Sequence, residues 1–485
     1  MRLTTLCLLL TACGDKETDS ATGTDTTGDD TDTDTDTDTE EMEGFTTISC
    51  ADYSDPCVQI AAGDTEGLLE AANLLAEGQT IILAEGTWLM DNQVTLRNAS
   101  GVSVIGQGMD LTTLDFSEEK VQSNGIDAIS DGFLVQGLTV IDAKKDGIRV
   151  EDSEGVTFRD VRATWTNKES SENGAYGLYP VSSSDVLIED SEAHNSADAG
   201  IYVGQVQRAI VRNNLATGNV AGIEIENTQY ADVYGNTATG NTGGLLIFDL
   251  PGNPIVGRDI WVHDNIVTDN NVANFAPGGT VGSIPAGTGT IVLASRRVVV
   301  ENNTYANNNT ADVAIINGLA IEGSLDSWAI SEGDIVGDID GLDLDTGDGV
   351  FYNFTTENIL VTGNSHSGSG TDPDMDDVVN RPIGTIVGLV YRDSGFPADN
   401  VMYDTINESS FSATEAGDNS NDNHICVGGN TAGTFASLDL ENLAAKMENF
   451  ELPEISDVFR PAAPFTPFDC TELNGGDIPS IELGK

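Results

Sequence analysis

Two glutamates stand two residues apart in "AGIEIENTQYADVYGNTATGNTGGLLIFD", the stretch from Ala221 to Asp249. Glu224 and Glu226 alternate with Ile223 and Ile225. On an extended strand they therefore leave one face together, about 6.5–7 Å apart. That lies near the low end of the roughly 6.5–9.5 Å that separates the acid from the base of an inverting glycosidase. Asp249 closes the next copy of the pattern and is expected one coil above Glu226. Carboxylates crowded in this way push one pKa up and supply an acid and a base as a set. The same oxygens suit Ca²⁺, which makes Glu226 and Asp249 the candidate metal ligands.

The neighbouring residues suit a sugar. Tyr179, Tyr202 and Phe248 fall on the same outward columns, and a sugar ring stacks on an aromatic face while its hydroxyls find polar partners. Gln205 and Asn227 follow at the expected bend, and Arg149 opens the column. With Arg149 the only base in these columns, and Lys144 and Lys145 nearby, a strongly anionic substrate is disfavoured. The plain alternative is that outward acids line up by chance, since the chain has 80 of them.

What must position these residues is a repeat. Gly-led segments recur as "DGIRVED" at Gly147, "YGLYPVS" at Gly177 and "AGIYVGQ" at Gly200, then at Gly222, Gly244 and Gly289; the first four steps are 30, 23, 22 and 22 residues. A companion segment recurs as "FLVQGL", "VTFRDV", "VLIEDS", "AIVRNN", "ADVYGN", "IWVHDN", "VVVENN" and "ILVTGN". A period near 22 residues with two or three short strands per unit predicts a solenoid, in which each strand pairs with its copy one turn away. The links are too short for crossover helices. Alternation places Ile148, Leu178, Ile201, Ile223 and Leu245 inside. Asn214, Asn236, Asn265, Asn303 and Asn364 hold one register, which predicts a stack of amides at a corner. The outward residues of the companion segment, Glu189, Arg212, Tyr234, His263 and Glu301, alternate in charge and suit structural pairing, with His263 read as exposed.

"DTEGLLEAANLLAEG", residues 64–78, predicts a short amphipathic helix covering the solenoid's first coil. The insertion 272–287, "VANFAPGGTVGSIPAG", is expected to wall a groove beside the carboxylates, with a plain Gly/Pro spacer as the alternative. Residues 311–358 and 366–420 read as widened coils or loops. The expected organisation is a signal peptide over 1–13, an acidic Thr/Asp-rich disordered tether over 14–44, the solenoid over 45–420 and an irregular C-terminal cap over 421–485.

Net charge is −60, which makes nucleic acid and anionic membrane surfaces poor partners. "MRLTTLCLLLTAC" has one base, an apolar run too short to span a bilayer, and small residues before Cys13. It resembles a bacterial lipoprotein signal with Cys13 as the lipidated residue; an ordinary signal peptide is the alternative. Gly14 after the cysteine favours the outer membrane, contacted through the lipid anchor only. Residues 15–43 hold 13 acids and one Lys and suit a solvated spacer. In an exported chain Cys50, Cys57, Cys426 and Cys470 suit two disulfides, one at each end.

The stretch 64–116 resembles the opening of pectate-lyase-like right-handed parallel β-helices. "GAYGLYPV", "ADAGIYVGQ", "VAGIEIENT" and "TGGLLIFDLPG" resemble an exported bacterial parallel-β-helix repeat family. The resemblance implies an all-β fold: a right-handed parallel β-helix solenoid with an N-terminal capping helix and an irregular C-terminal cap. It also implies a second exported protein as a partner, but no settled activity, and this fold carries many. Three functions stay open: an enzyme acting on an extracellular glycan as hydrolase, lyase or epimerase; a non-catalytic glycan-binding or adhesive module; and a scaffold for another exported protein.

Overall fold

In a computed structural model of the chain, the description covers residues 44–484 apart from 46, 341, 343, 345–348 and 432. The expectations for Cys13 and almost all of the tether lie outside the described residues. The Gly-led segments form one column of eleven parallel strands, running from Val94–Leu96 to Phe435–Ser437. The central members, Ala199–Gly204, Ala221–Glu226 and Gly243–Phe248, pair in register without a shift: Ile201 faces Ile223, and Ile223 faces Leu245. Ten steps of strand spacing make this face about 48 Å long. The companion strands and the short strands after them form the other walls, within a 20-stranded sheet that is again parallel throughout.

The inward column explains the fold's stability. Ile148, Leu178, Ile201, Ile223 and Leu245 are fully buried and belong to one core that runs the length of the solenoid. No single coil can bury these side chains; each is covered by its copies above and below.

The corner amides form the expected stack. Asn214, Asn236, Asn265, Asn303 and Asn364 each donate from Nδ2 to the Oδ1 of the next, at 2.9–3.0 Å, and the stack ends on Asn430. Each also donates to a backbone carbonyl one coil below, as Asn236 does to Val211. A second stack, not anticipated, runs through Asn219, Asn241, Asn270 and Asn308 at the next corner. Both satisfy backbone groups that a tight corner would leave buried and unpaired.

Helix α1, Thr65–Asn73, buries Leu68 and Ala72 against the first coils. Cys50 is bonded to Cys57, and Cys426 to Cys470. At the far end the solenoid runs past the expected limit of 420. Strands Ile425–Cys426 and Phe435–Ser437 each extend a sheet. They are too short, two and three residues, for their periodicity to show in the sequence. The true cap starts at the helix Leu440–Glu448. The tail then turns back along the companion sheet, where Arg297 donates to the carbonyls of Asn474 and Gly476.

Two long excursions leave the eleven-stranded face between Ile316 and Val401. The first carries an antiparallel pair, Ala329–Ser331 with Val350–Tyr352. The second carries the helix Pro382–Arg392, whose Ile386, Val387 and Val390 are buried. Together with the insertion at 272–287 they lie over the outer face of the upper coils.

Candidate functional site

The outward columns stand in the expected register: Arg149 beside Tyr179, Tyr202 beside Glu224, Gly204 beside Glu226, and Glu226 beside Phe248. Their environment differs from the expected one. The face was expected to meet solvent, yet Tyr202, Glu224, Glu226, Phe248 and Asp249 are all buried. The reason is the covering. Tyr202, Leu246 and Phe248 share an apolar cluster with Val281 and Ile284 of the insertion and Trp328 of the first excursion. Phe248 is thus a packing residue and offers no ring to a sugar. The insertion itself folds down onto the face, with Asn274 tying the Val281 and Ile284 carbonyls, and does not wall an open groove.

Below this lid sits a group of acids. Glu224 is 2 % exposed, and its Oε2 is closed to solvent with no hydrogen-bond partner. Glu226 accepts from Gln205 Nε2 at 2.9 Å and from Asn253 Nδ2 at 3.2 Å. Asp198 and Asp146 come from the turns that precede two strands of the column. Asp198 Oδ1 and both carboxylate oxygens of Asp146 are buried without a hydrogen-bond donor. Lys145 stands 3.8 Å from Asp146. Among the described residues no base pairs with Asp198, Glu224 or Glu226. Arg149, the expected substrate-binding base, is occupied by Asp127 at 3.3 Å and Glu151 at 2.6 Å.

Burial and mutual repulsion set the proton affinities. Burial, then the charges of Asp198 and Glu226, pushes Glu224 well above the usual carboxylate range. Burial, then Glu226, raises Asp198 to about 7, against a hydrogen bond from Tyr176. Burial raises Asp146 to about 6. Glu226 is also raised by burial, against hydrogen bonds from Tyr202, Glu224, Gln205 and Asn253. The set therefore holds protons at neutral pH that isolated acids would release.

Three tyrosines frame these acids. Tyr176 lies 4.5 Å, ring centre to ring centre, from both Tyr179 and Tyr202, and Tyr179 meets Tyr202 edge-on at 4.9 Å. Tyr176 and Tyr179 remain partly open to solvent. The ring of Tyr202 folds back over Gly204, where a Cβ would stand 2.1 Å from its Cε1. A side chain at 204 would displace that ring.

Two expected members do other work. Asp249 turns away from the set: its Oδ2 accepts from Gly257 N at 2.6 Å and Asn353 Nδ2 at 2.7 Å. Burial raises it to about 7, against those two donors. It pins the Gly257 turn, with both of its Oδ2 contacts spent on that turn and on Asn353, while the charge of Glu226 still raises it. Asn227 is fully buried at the bend, in left-handed backbone, donating to the Ile255 carbonyl and accepting from Leu250 N. It holds a turn and cannot touch substrate. Among the described residues, the one group of three close metal-ligand side chains is His424, Cys426 and Cys470, whose sulfurs are already bonded to each other.

Sequence reasoning missed Asp146, Tyr176 and Asp198. They precede the strands and so fall outside the alternating columns. The available signal was register: Asp198 stands two residues before Gly200, where neighbouring coils have Ala175 and Val220.

Gln205 is only half buried and lines an open groove of about 620 Å³ along the bend, with Ser182, Ser183 and Asn253. This groove reaches Glu226 through the Gln205 amide.

Residues 147–370 match the model of the right handed beta helix region, and the chain is a right-handed parallel β-helix. No curated protein sequence matches it. Among solved structures it is similar to the A-module of mannuronan C-5 epimerase AlgE4 of Azotobacter vinelandii: 16 % identity, 70 % of this chain and 88 % of that one, TM-score 0.40. It is also similar to an alginate lyase of Paenibacillus sp., at 15 % identity over 64 % of this chain and 96 % of that one, TM-score 0.37. A third is the catalytic unit of a GH87 α-1,3-glucanase of Streptomyces thermodiastaticus, at 13 % identity over 66 % and 60 %, TM-score 0.40.

Proposed function

We propose that this chain binds an extracellular glycan across Tyr179 and the bend groove and hydrolyses it with the acids behind Gln205. One observation carries the reading: Glu224 and Glu226 are buried beside the partly buried Asp198, the three share protons, and no base among the described residues neutralises them. Burying unpaired carboxylates costs stability. A fold with many apolar alternatives on this face retains such a cost at functional sites.

The roles follow from access and proton affinity. Asp198, partly open and raised to about 7, is the general acid: it hands its proton to the glycosidic oxygen as the C–O bond breaks. Glu226, oriented by Gln205 and Asn253, takes a proton from the attacking water. Glu224 is too deep to touch substrate; held protonated by burial, it shares its proton with Glu226 and acts through that neighbour, which makes it a positioning residue. Tyr179 offers the ring on which a sugar stacks.

The test is a turnover screen of the full chain against neutral, acidic and amino glycans. Saturable retention without turnover would replace the enzyme by a binding module; co-purification of a second exported protein without glycan retention would replace it by a scaffold. We further propose export and attachment to the outer membrane through lipid on Cys13. Cys13→Ser should then release the protein from the membrane fraction, and a wild type without lipid would overturn the attachment.

A further inference from the structure

We propose that Gly204 and Tyr202 act as a pair that positions Glu226: the glycine leaves room for the tyrosine ring, and the ring brings its hydroxyl to the carboxylate on the next coil. The proposal rests on the hydrolytic reading above and adds what makes Glu226, rather than Asp198, the base. Two features of the geometry point to it.

The first is the glycine. Its register partners along the outward column are Val181, Glu226, Phe248, Leu293 and Ile316. A glycine inside a strand costs backbone entropy and packs nothing. The backbone does not call for one, since Gly204 ends the strand Ala199–Gly204 outside the left-handed region. What excludes a side chain is Tyr202: a Cβ at 204 would stand 2.1 Å from its Cε1 and 2.4 Å from its hydroxyl oxygen. Tyr202 is buried, with Tyr176 at 4.5 Å and Tyr179 at 4.9 Å from its ring centre, so the ring has no free space to swing into.

The second is where the hydroxyl arrives. Gly204 and Glu226 face each other on neighbouring strands, so a hydroxyl lying over Gly204 lies beside that carboxylate. Gln205 Nε2 reaches both, at 3.4 Å from the Tyr202 hydroxyl and 2.9 Å from Glu226 Oε1. The hydroxyl donates to Glu226. Glu226 feels acids on every side: Glu224 on its own strand, Asp198 from the turn before the preceding strand, and Asp249 after the following one, with the phenols of Tyr176 and Tyr179 nearby. No base among the described residues faces it. Its ionised form is therefore favoured by neutral donors, Tyr202, Gln205 and Asn253. Asp198 receives the Tyr176 hydroxyl and keeps Oδ1 unpartnered. The acid with more donors gives up its proton first.

The experiment is thermal melting of the full chain at pH 5 and pH 8, with Tyr202→Phe and Gly204→Ala each made alone and together with Glu226→Gln. Burial raises Glu226 above its ordinary 4.5, so its stability is present below that value and lost as pH climbs through the folded one. A hydroxyl that favours the ionised form reduces this loss, and removing it enlarges the loss. The gap between Tyr202→Phe and the wild type should therefore widen by about 2 °C from pH 5 to pH 8. Gly204→Ala should show the same widening on top of a loss that does not depend on pH. Neither should widen in the Glu226→Gln background. Tyr202→Phe keeps the ring, so its result stands whether or not Gly204→Ala folds. A gap equal at both pH values, or one that widens as much in the Glu226→Gln background, means that Tyr202 only packs, and it overturns the proposal while leaving the hydrolytic reading intact. The expected widening in a chain that turns over no glycan upholds the pair and overturns the hydrolytic reading alone.

Discussion

Two columns of charge run up this solenoid, on adjacent walls, and they are built on opposite terms. On the companion wall Asp185, Glu189 and Glu192 each have an arginine partner. Glu189 accepts from Arg159 at 2.5 Å and from Arg212, Glu192 from Arg162 at 2.6 Å, and Asp185 from Arg208 at 2.5 Å. On the Gly-led wall, Asp198, Glu224 and Glu226 have no basic partner among the described residues, only neutral donors such as Gln205 and Asn253 on Glu226. The donors at Arg208 and Arg212 hold Asp185 and Glu189 below the usual carboxylate range, against the burial of each. Burial holds the other set above it. Similar residues at similar strand positions thus serve as mortar in one column and as proton donors in the other. The partner on the neighbouring coil decides which.

The largest effect that separates the two is on turnover. Once a substrate is in hand, Glu226→Gln and Asp198→Asn should each lower kcat by about 10²–10⁴, the usual contribution of a positioned acid or base. Melting above neutral pH should be unchanged or raised, because each substitution removes a buried acid that costs stability as it ionises. Glu189→Gln on the companion wall should do the reverse and spare kcat. Equal losses from all three, measured by steady-state kinetics and thermal melts together, would erase the distinction.

Stability offers the next contrast, at the corner stacks. Asn265 donates to Asn303 and to the Val233 carbonyl and accepts from Asn236. Asn265→Ala strands several buried polar groups and should cost about 3–5 kcal/mol in denaturant unfolding. A loss below about 1 kcal/mol would mean that water replaces the stack.

Much of this was legible in the sequence. The 22-residue period gave the coil and its inward column, and the Asn register gave one corner, because a solenoid repeats the same physical problem in every turn. Burial on the outer face was not legible. Glu224 and Phe248 read as exposed because alternation reports which way a side chain leaves its own sheet and says nothing of what is laid over it. The covering comes from Val281, Ile284 and Trp328, distant in sequence and outside the period. Asp198 and Tyr176 were missed because turn residues are not part of the alternation. Asn227 and Asp249 were misassigned for a related reason: a polar residue at a bend serves a backbone turn as readily as a ligand.

The pH profile should show both columns at once. For Asp198 and Asp249 the folded value, about 7, is above the ordinary 3.8. A raised acid contributes its stability below the unfolded value and loses it as pH climbs through the folded one. Stability from this wall should therefore fall from about pH 4 to about pH 7. Asp185 and Glu189 are lowered, so their stability is present above their ordinary values of 3.8 and 4.5 and is lost as pH drops below them. Melting temperature should peak on the acid side of neutrality. Asp198→Asn should flatten the alkaline limb and Glu189→Gln the acid limb. A single plateau from pH 5 to pH 8 would contradict the first half.

The smallest effect is expected at His263, where the two columns would be easiest to confuse. It is one of four histidines, and it was read as an exposed one. Its side chain is only 13 % exposed, stacked 4.0 Å from Trp261 and 5.0 Å from Tyr234. Its nitrogens face Asp232 at 2.9 Å and Asp264 at 2.7 Å. Burial lowers its pKa, but hydrogen bonds to those two acids outweigh it and the net shift is upward. A raised histidine contributes stability that is complete below its unfolded value, about 6.5, and lost as pH rises through the folded one. His263→Gln keeps a donor for Asp232 and gives up the charge, so it should cost about 1 kcal/mol or less at pH 6. At pH 9 the cost should shrink, and kcat should stay at the wild-type value at both. A pH-dependent collapse of kcat in this variant would move the catalytic wall from the unpaired acids to the paired ones.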